Sequence, residues 1–184
     1  MDNELHWFYI SPWPNTERKV KAHLEACGIQ CILPVQRISY REAGVNYWYN
    51  TPTAHGVLFA RSTMQELEKI RVAFWNRGLR FVFRYESKES ESPITISDEV
   101  MDDVLFALSQ PGTICINPHK FLPLALKSDY VEVIEGPLRG LRGYWMRPRK
   151  TYCVTIIVND VFAVATRYLP PEMVRVLTEE ERNA

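Results

Sequence analysis

The side chains able to do covalent or metal chemistry are few and badly spaced for it. Four cysteines, Cys27, Cys31, Cys115 and Cys153, form no CxxC pair, and the four histidines offer no close pair of ligands. A zinc ion would need Cys27 and Cys31 plus two remote ligands, so small buried thiols are the better reading. A cysteine beside His55 or His119 would make a nucleophile–base pair, but nothing else in the sequence supports one. Gly136, Gly140 and Gly143 lack the spacing and the Lys-Ser/Thr end of a phosphate-holding loop. No cofactor fingerprint appears, and the expectation is a protein without metal, cofactor or enzymatic activity. What remains is non-covalent. Arg139, Arg142, Arg147, Arg149 and Lys150 cluster without an acidic neighbour, either as a solvated face or as a surface for RNA, ribosome or another factor.

Most of those cations follow one stretch, residues 127–143, read as KSDYVEVIEGPLRGLRG. It begins as an alternating strand, with Tyr130, Glu132 and Ile134 on one side and Val131, Val133 and Glu135 on the other. Pro137 presets a tight turn, and Gly136 lets the chain enter it. Gly140 and Gly143 mark places where positive φ or a close backbone approach is cheap only for glycine. Arg139 and Arg142 are expected at the tip.

Length and composition bound the rest. A chain of 184 residues holds one domain or two small ones. An apolar fraction of 46% and an aromatic fraction of 12% suit a folded globular protein. The formal net charge is zero, so any nucleic-acid binding must come from local patches. No run approaches the roughly 18 apolar residues needed to span a bilayer. The opening MDNELHWFYI lacks a signal-peptide pattern, and a cytoplasmic protein without membrane contact is expected.

The elements follow in order. Residues 5–10 read as a strand stopped by Ser11-Pro12-Trp13-Pro14. Asn15 or Thr16 caps a helix to about Cys27, with Val20, Leu24 and Cys27 on one face and Gly28 at its end. Residues 29–35 read as a second strand, with Pro34 arguing for an edge. Residues 37–52 are weakly patterned and suggest a long, partly ordered hairpin or loop. Residues 56–61 form a third strand, and Thr63 to Glu66 make a capping box for a helix with Leu67, Ile70 and Phe74 in one stripe. Gly78 closes that helix, and residues 79–85 form a fourth strand before the polar loop 86–92. Ser97 caps a last helix to about Leu108, with Val100, Val104, Leu105 and Leu108 inward.

The order β-α-β-β-α-β plus a helix is a split βαβ, or ferredoxin-like, arrangement. Residues 110–126 read as a linker whose Ile114, Ile116, Phe121, Leu122 and Leu124 ask to be covered. Beyond it, residues 152–158 and 161–166 flank an Asn159-Asp160 turn, and residues 174–177 make a last strand. Five short strands without a helix read as a small SH3-like barrel, and the TEEERNA tail as frayed. The fold class is therefore α+β, with a ferredoxin-like domain over 1–110, a linker over 111–126 and a barrel over 127–180.

Both halves resemble one family. The valine-rich strand, Gly136-Pro137, Gly140 and Gly143 are similar to the KOW motif of NusG-type transcription factors and some ribosomal proteins. The first half resembles the NusG polymerase-binding domain. It has an early Trp7 strand; Glu17, Val20 and Leu24 in the first helix; Pro34 ending the second strand; Gly56-x-x-Phe59 in the third; and Ile94-x-Ile96 before the last helix. VIEGPLRGLRG is particularly like the UpxY branch, specialised paralogues of Bacteroides-type bacteria. Such domains usually carry aromatic-Pro-Gly-Tyr entering the third strand, whereas this chain reads Thr53-Ala54-His55-Gly56-Val57, a departure that fits a divergent paralogue.

The resemblance implies a monomeric bacterial elongation or antitermination factor. Its first domain would bind the clamp helices of the largest catalytic subunit of RNA polymerase through Val57, Phe59, Tyr85 and Ile96; for each, plain core packing is the competing account. Contact with the displaced non-template DNA strand is implied for Lys19, His23 and Arg77, which otherwise are a solvated face. The KOW loop of Gly136, Pro137, Arg139, Gly140, Arg142 and Gly143 lies in the domain that would recruit the ribosome, Rho or another factor. The rival is an RNA- or ribosome-binding module, since β-α-β-β-α-β also describes an RRM. RRM binding relies on base-stacking aromatics, and Val57 occupies one of their places.

Overall fold

A computed structural model describes residues 4–52, 56–75, 77–87, 89–116, 118–148, 150–158 and 162–183, with 36–38, 40, 48, 49, 119, 120 and 183 described by backbone alone. The chain forms two compact units that divide between Asp98 and Glu99.

The first unit is built on a central strand, β1 (His6–Pro12). Helix α1 (Glu17–Ala26) follows, then β2 (Gln30–Ile32), β3 (Val35–Glu42), β4 (Val45–Pro52), β5 (Leu58–Ser62), α2 (Met64–Trp75), β6 (Phe81–Phe83) and β7 (Thr95–Ile96). The sheet runs β2-β5-β1-β6, every pairing antiparallel, and β7 pairs with β1 beside β6. Residues 84–94 leave the edge between β6 and β7; the Ile94 N–H donates to the Arg84 carbonyl at 2.7 Å and closes the excursion. Alternation divides the sheet. Phe8, Ile10, Leu58, Ala60, Phe81 and Phe83 pack with Val20 and Leu24 of α1 and Leu67 and Phe74 of α2.

The weakly patterned segment is a regular hairpin. β3 and β4 pair from Val35 opposite Pro52 to Glu42 opposite Val45. Ala43 and Gly44 both have positive φ (48° and 84°), the geometry of the tight turns that match strand twist. The amphipathic signals locate the helices well. Thr63 Oγ1 accepts the Glu66 N–H at 3.2 Å, although the Glu66 carboxylate takes a hydrogen bond from Ser62 instead of closing back on Thr63. Cys27 departs from expectation: it caps the end of α1 and is exposed, because the apolar face of that helix finishes at Leu24.

The second unit begins with α3, Asp98–Ser109, all but the first residue of which falls in this unit. Met101, Val104 and Ala107 are its buried residues, so the inward face is centred one step away from Val100, Leu105 and Leu108, which are only partly covered. The segment expected to link the halves contains β8 (Ile114–Ile116) and α4 (Pro118–Ala125). Strands β9 (Tyr130–Val133), β10 (Arg142–Met146), β11 (Cys153–Val158), β12 (Phe162–Ala165) and β13 (Val174–Val176) complete a six-stranded antiparallel sheet ordered β13-β9-β10-β11-β12-β8. The Ile114 and Ile116 strand thus satisfies its backbone on β12. The expected Asn159-Asp160 turn lies outside the described residues; β11 and β12 pair with Val158 opposite Phe162, which leaves three residues between the paired positions and not the two expected.

The tail is not frayed. Helix α5 (Glu179–Asn183) starts with a reciprocal capping box, in which Thr178 Oγ1 accepts the Glu181 N–H at 3.3 Å and the Glu181 carboxylate accepts the Thr178 N–H at 3.0 Å. Arg182 then lies over the rings of Tyr130 and Tyr144 and donates to the Tyr144 hydroxyl at 2.6 Å.

Candidate functional site

In the first unit, a polar clamp holds the backbone that enters β5. Gly56 has φ of +69°, and a Cβ there would stand 2.8 Å from Ser11 Oγ, so only glycine fits. Its N–H donates to the buried Glu17 carboxylate at 3.0 Å, and its carbonyl accepts the Ser11 hydroxyl at 2.6 Å. Burial raises the pKa of the neighbouring Tyr9 phenol, with Arg84 opposing the shift.

From that clamp, Val57, just before β5, and Phe59 within it lie on the sheet face opposite Leu58 and Ala60, away from the two helices. Tyr9 and Trp7 of β1 share that face, and Ile96 is the cross-strand partner of Trp7. Val57, Phe59 and Ile96 therefore share one face, with β1 between Ile96 and the other two, and all three are buried. Tyr85 is separate from them. It is 43% exposed, borders an open depression of about 640 Å³ formed with Phe83, Arg84, Glu86, Ser87, Ser90 and Glu91, and is close enough to Arg71 of α2 to act on its charge. Of the four residues proposed to meet polymerase, only Tyr85 thus offers exposed surface. The departure at Thr53, Ala54 and His55 lies outside the described residues.

Lys19, His23 and Arg77 are all exposed. Lys19 and His23 lie one turn apart on α1, where His23 Nδ1 is 2.8 Å from the Lys19 carbonyl, leaving Nε2 as the other polar ring atom. The His23 ring meets Phe74 edge-on at 5.7 Å, which ties α1 to the end of α2. Next to Phe74 stands Trp75, 50% exposed, and Arg80 lies over its ring at 4.1 Å and over that of Trp13, 52% exposed, at 4.9 Å. Sequence reasoning missed this group. Its parts come from the end of β1, the end of α2 and the turn before β6, and the one local trace is that residues 71–82 and 11–16 hold three arginines and no acid.

In the second unit the glycine-rich turn divides its work. The Arg139 N–H donates to the Gly136 carbonyl at 3.2 Å, closing a turn with Pro137 at its second position; the Leu141 N–H donates to the Leu138 carbonyl at 3.0 Å and closes a second. Gly136 and Gly140 have φ of +81° and +90° with no backbone crowding, so conformation selects them. Gly143 is selected by space: a Cβ would stand 2.8 Å from the Thr155 carbonyl oxygen and from Val154 Cγ1. Leu138 and Leu141 are buried and anchor the turn.

Among its described members the cationic cluster is dispersed; Arg149 lies outside the described residues. Arg139 is exposed on the turn, but Arg142 is the first residue of β10 and not at the tip. Its register places it opposite Glu132, 3.8 Å away, so it has an acidic partner that sequence neighbours do not reveal. Glu132 also pairs with Arg175 at 2.9 Å. Arg147 donates to the Lys150 carbonyl at 2.8 Å and lies over Tyr152, which stacks on Trp145 at 5.2 Å. The Cys31 and Cys153 thiols are buried; burial pushes Cys31 up to about 12 and raises Cys153, as befits inert packing groups.

Among the described residues, no helix is long and apolar enough to cross a membrane. A family model described as transcription termination factor nusG matches residues 5–105, which run from β1 through most of α3. No curated protein matches the chain.

Proposed function

The chain belongs to the NusG family of transcription factors, and from that membership we propose that it acts in transcript elongation as a non-catalytic, monomeric factor bound to bacterial RNA polymerase. Residues 1–110 dock on the clamp helices of the largest catalytic subunit, and the bound factor suppresses pausing or termination. Residues 127–180 act as a KOW domain that recruits the ribosome, Rho or another factor, with 111–126 joining the two. Holding both activities on one chain raises the effective concentration of each partner for the other.

The observation that carries this reading is the family match over the whole first sheet and its helices. The sheet order β2-β5-β1-β6, with β3 and β4 set apart as a hairpin, supports a ferredoxin-like polymerase-binding domain. The two successive turns of residues 136–141 and the close approach of Gly143 to β11 support a KOW loop in an SH3-like domain. Tyr85 is the exposed part of the docking surface. Val57, Phe59 and Ile96 are its buried part and engage polymerase only when the side chains covering them move. Lys19, His23 and Arg77 face the non-template strand as exposed donors.

The test is a titration of the full chain against bacterial RNA polymerase, with Tyr85→Ala beside it. Saturable binding that the substitution weakens about tenfold is the expected result, in keeping with an exposed aromatic anchor. Absence of binding at high micromolar concentration would sink the clamp assignment.

A further inference from the structure

Helix α5 sets the one cation of the C-terminal tail, Arg182, on a pair of tyrosines of the second unit. Tyr130 of β9 and Tyr144 of β10 are cross-strand partners, and their rings meet edge-on at 5.2 Å. The Arg182 guanidinium lies over both, at 4.9 Å from the Tyr130 ring centre and 5.2 Å from that of Tyr144, and it donates to the Tyr144 hydroxyl at 2.6 Å. Two ring faces and a phenol oxygen thus receive one flat cation, which the ring quadrupoles attract. The surroundings strengthen that preference. Helix α3 carries four acids and no base, and its Asp103 stands close enough to Tyr130 for its charge to act on the phenol.

What seats Arg182 is weak by comparison. Beyond the buried Leu177 the tail reads TEEERNA and has no large apolar side chain. Helix α5 has five residues, too few to hold its shape alone. Its further ties run through the Glu181 carboxylate, which takes Arg175 at 2.6 Å and the Thr178 N–H at 3.0 Å. Both partners of that ion pair are well exposed, and such pairs contribute little. A displaceable tail therefore fills a site whose chemistry suits an arginine from elsewhere.

We propose that Tyr130, Tyr144 and the acids beside them form a cage for an arginine side chain of a partner protein, and that Arg182 fills it until the partner displaces α5. The proposal rests on the reading that the second unit recruits a partner, and it adds the chemistry which that partner presents, an exposed guanidinium. Arg182 carries the argument, because it shows such a group seated.

Fluorescence anisotropy with the full chain tests it. The probes are labelled Gly-Ser peptides identical but for arginine, citrulline or lysine at one position. Arg182→Gln empties the cage and should tighten the arginine peptide about tenfold, the gain expected where the tail closes the site about nine-tenths of the time. Citrulline keeps the shape and loses the charge, and should bind about tenfold more weakly than arginine; lysine should fall between them. Added to the Arg182→Gln chain, Tyr130→Leu or Tyr144→Leu should abolish binding. Tyr144→Phe, which keeps the ring and the packing, should retain part of it. In the parent chain, saturating arginine peptide should lower amide-exchange protection at residues 178–182. Equal affinity for arginine and citrulline, no gain from Arg182→Gln, or no binding by either chain at millimolar peptide would each overturn the cage. Self-association in sedimentation that Arg182→Gln abolishes would put a second copy's tail in the cage and overturn the assignment to a foreign partner. Binding of ribosomes and of Rho to the parent chain is measured separately. Failure of the cage with that binding intact leaves recruitment standing on another surface, and the converse sinks the named partners alone.

Discussion

Glu17, at the first position of α1, accepts a hydrogen bond from the Gly56 N–H at 3.0 Å across a sequence separation of 39 residues. This bond ties the first helix to the entry of β5. The entry cannot be fixed by local sequence, because Gly56 is in the left-handed region. Replacing Glu17 with Ala leaves a buried N–H unsatisfied and should destabilise the first unit by about 1–3 kcal/mol. Urea denaturation followed by circular dichroism measures it. A loss near zero would show that the bond does not hold the strand entry.

The two selection rules of the glycine-rich turn separate by mutation. Gly143→Ala puts a Cβ 2.8 Å from backbone of β11, and the overpacking should cost about 1–3 kcal/mol and shift the β10–β11 amide resonances. Gly140→Ala meets no atom but must hold φ at +90°, which costs roughly 1–2 kcal/mol. Asn at 140 should recover part of that loss, since its side chain tolerates the left-handed region; Asn at 143 should recover nothing. Recovery at both or neither position would contradict the division.

Asp103 of α3 sets a pH dependence in the second unit. Burial pushes its carboxyl from 3.8 up to about 6, with Arg142 opposing and Asp102 adding to the rise. Tyr130 also faces it, its phenol raised chiefly by its own burial. The folded state thus holds this proton to higher pH than the unfolded chain. Its favourable contribution is complete below about 4 and is lost as pH rises through about 6. Asp103→Asn removes that loss. After discounting for solvent, the variant should be more stable than the parent by about 1 kcal/mol at pH 7, and the difference should shrink by pH 4. Thermal melts across that range check the sign.

The C-terminal helix should respond in the opposite sense. The Glu181 carboxyl is held below its usual range, first by the Thr178 backbone N–H and then by Arg175. Its folded pKa is depressed, so its contribution is present at neutral pH and fades as pH falls through the carboxylate range. Amide-exchange protection at residues 178–182, measured against the intrinsic rate at each pH, should fall at low pH well before the β9–β10 pairing is lost, and Glu181→Gln should reproduce the lower protection at neutral pH.

What depends on a few neighbouring residues was legible before folding is considered. Apolar spacing located α1, α2 and α3, Thr63 announced the start of α2, and Gly136-Pro137 announced a turn. Val131 and Val133 showed the buried side of β9, because alternation is a property of one strand. The family, too, was readable from these marks in order, and the match over residues 5–105 rests on the same chain. Local signals misled where a distant partner changes the answer. Residues 114–116 lacked the length of an obvious strand until β12 supplied their hydrogen bonds, and TEEERNA looked frayed until Arg182 reached the Tyr130 and Tyr144 rings.

Which residues share a surface was set by long-range packing. Cross-strand register gave Arg142 the carboxylate of Glu132, which dispersed a cluster that looked uniform in sequence. The same long-range pairing of β1 with β6 set Trp13 beside Arg80, and the return of α2 brought Trp75 to them. It also buried Phe59 and Ile96 while leaving Tyr85 in water. The physical reason is that backbone conformation and amphipathic pattern are set within a turn or a strand, whereas exposure, ion pairing and stacking depend on atoms that folding brings from tens of residues away.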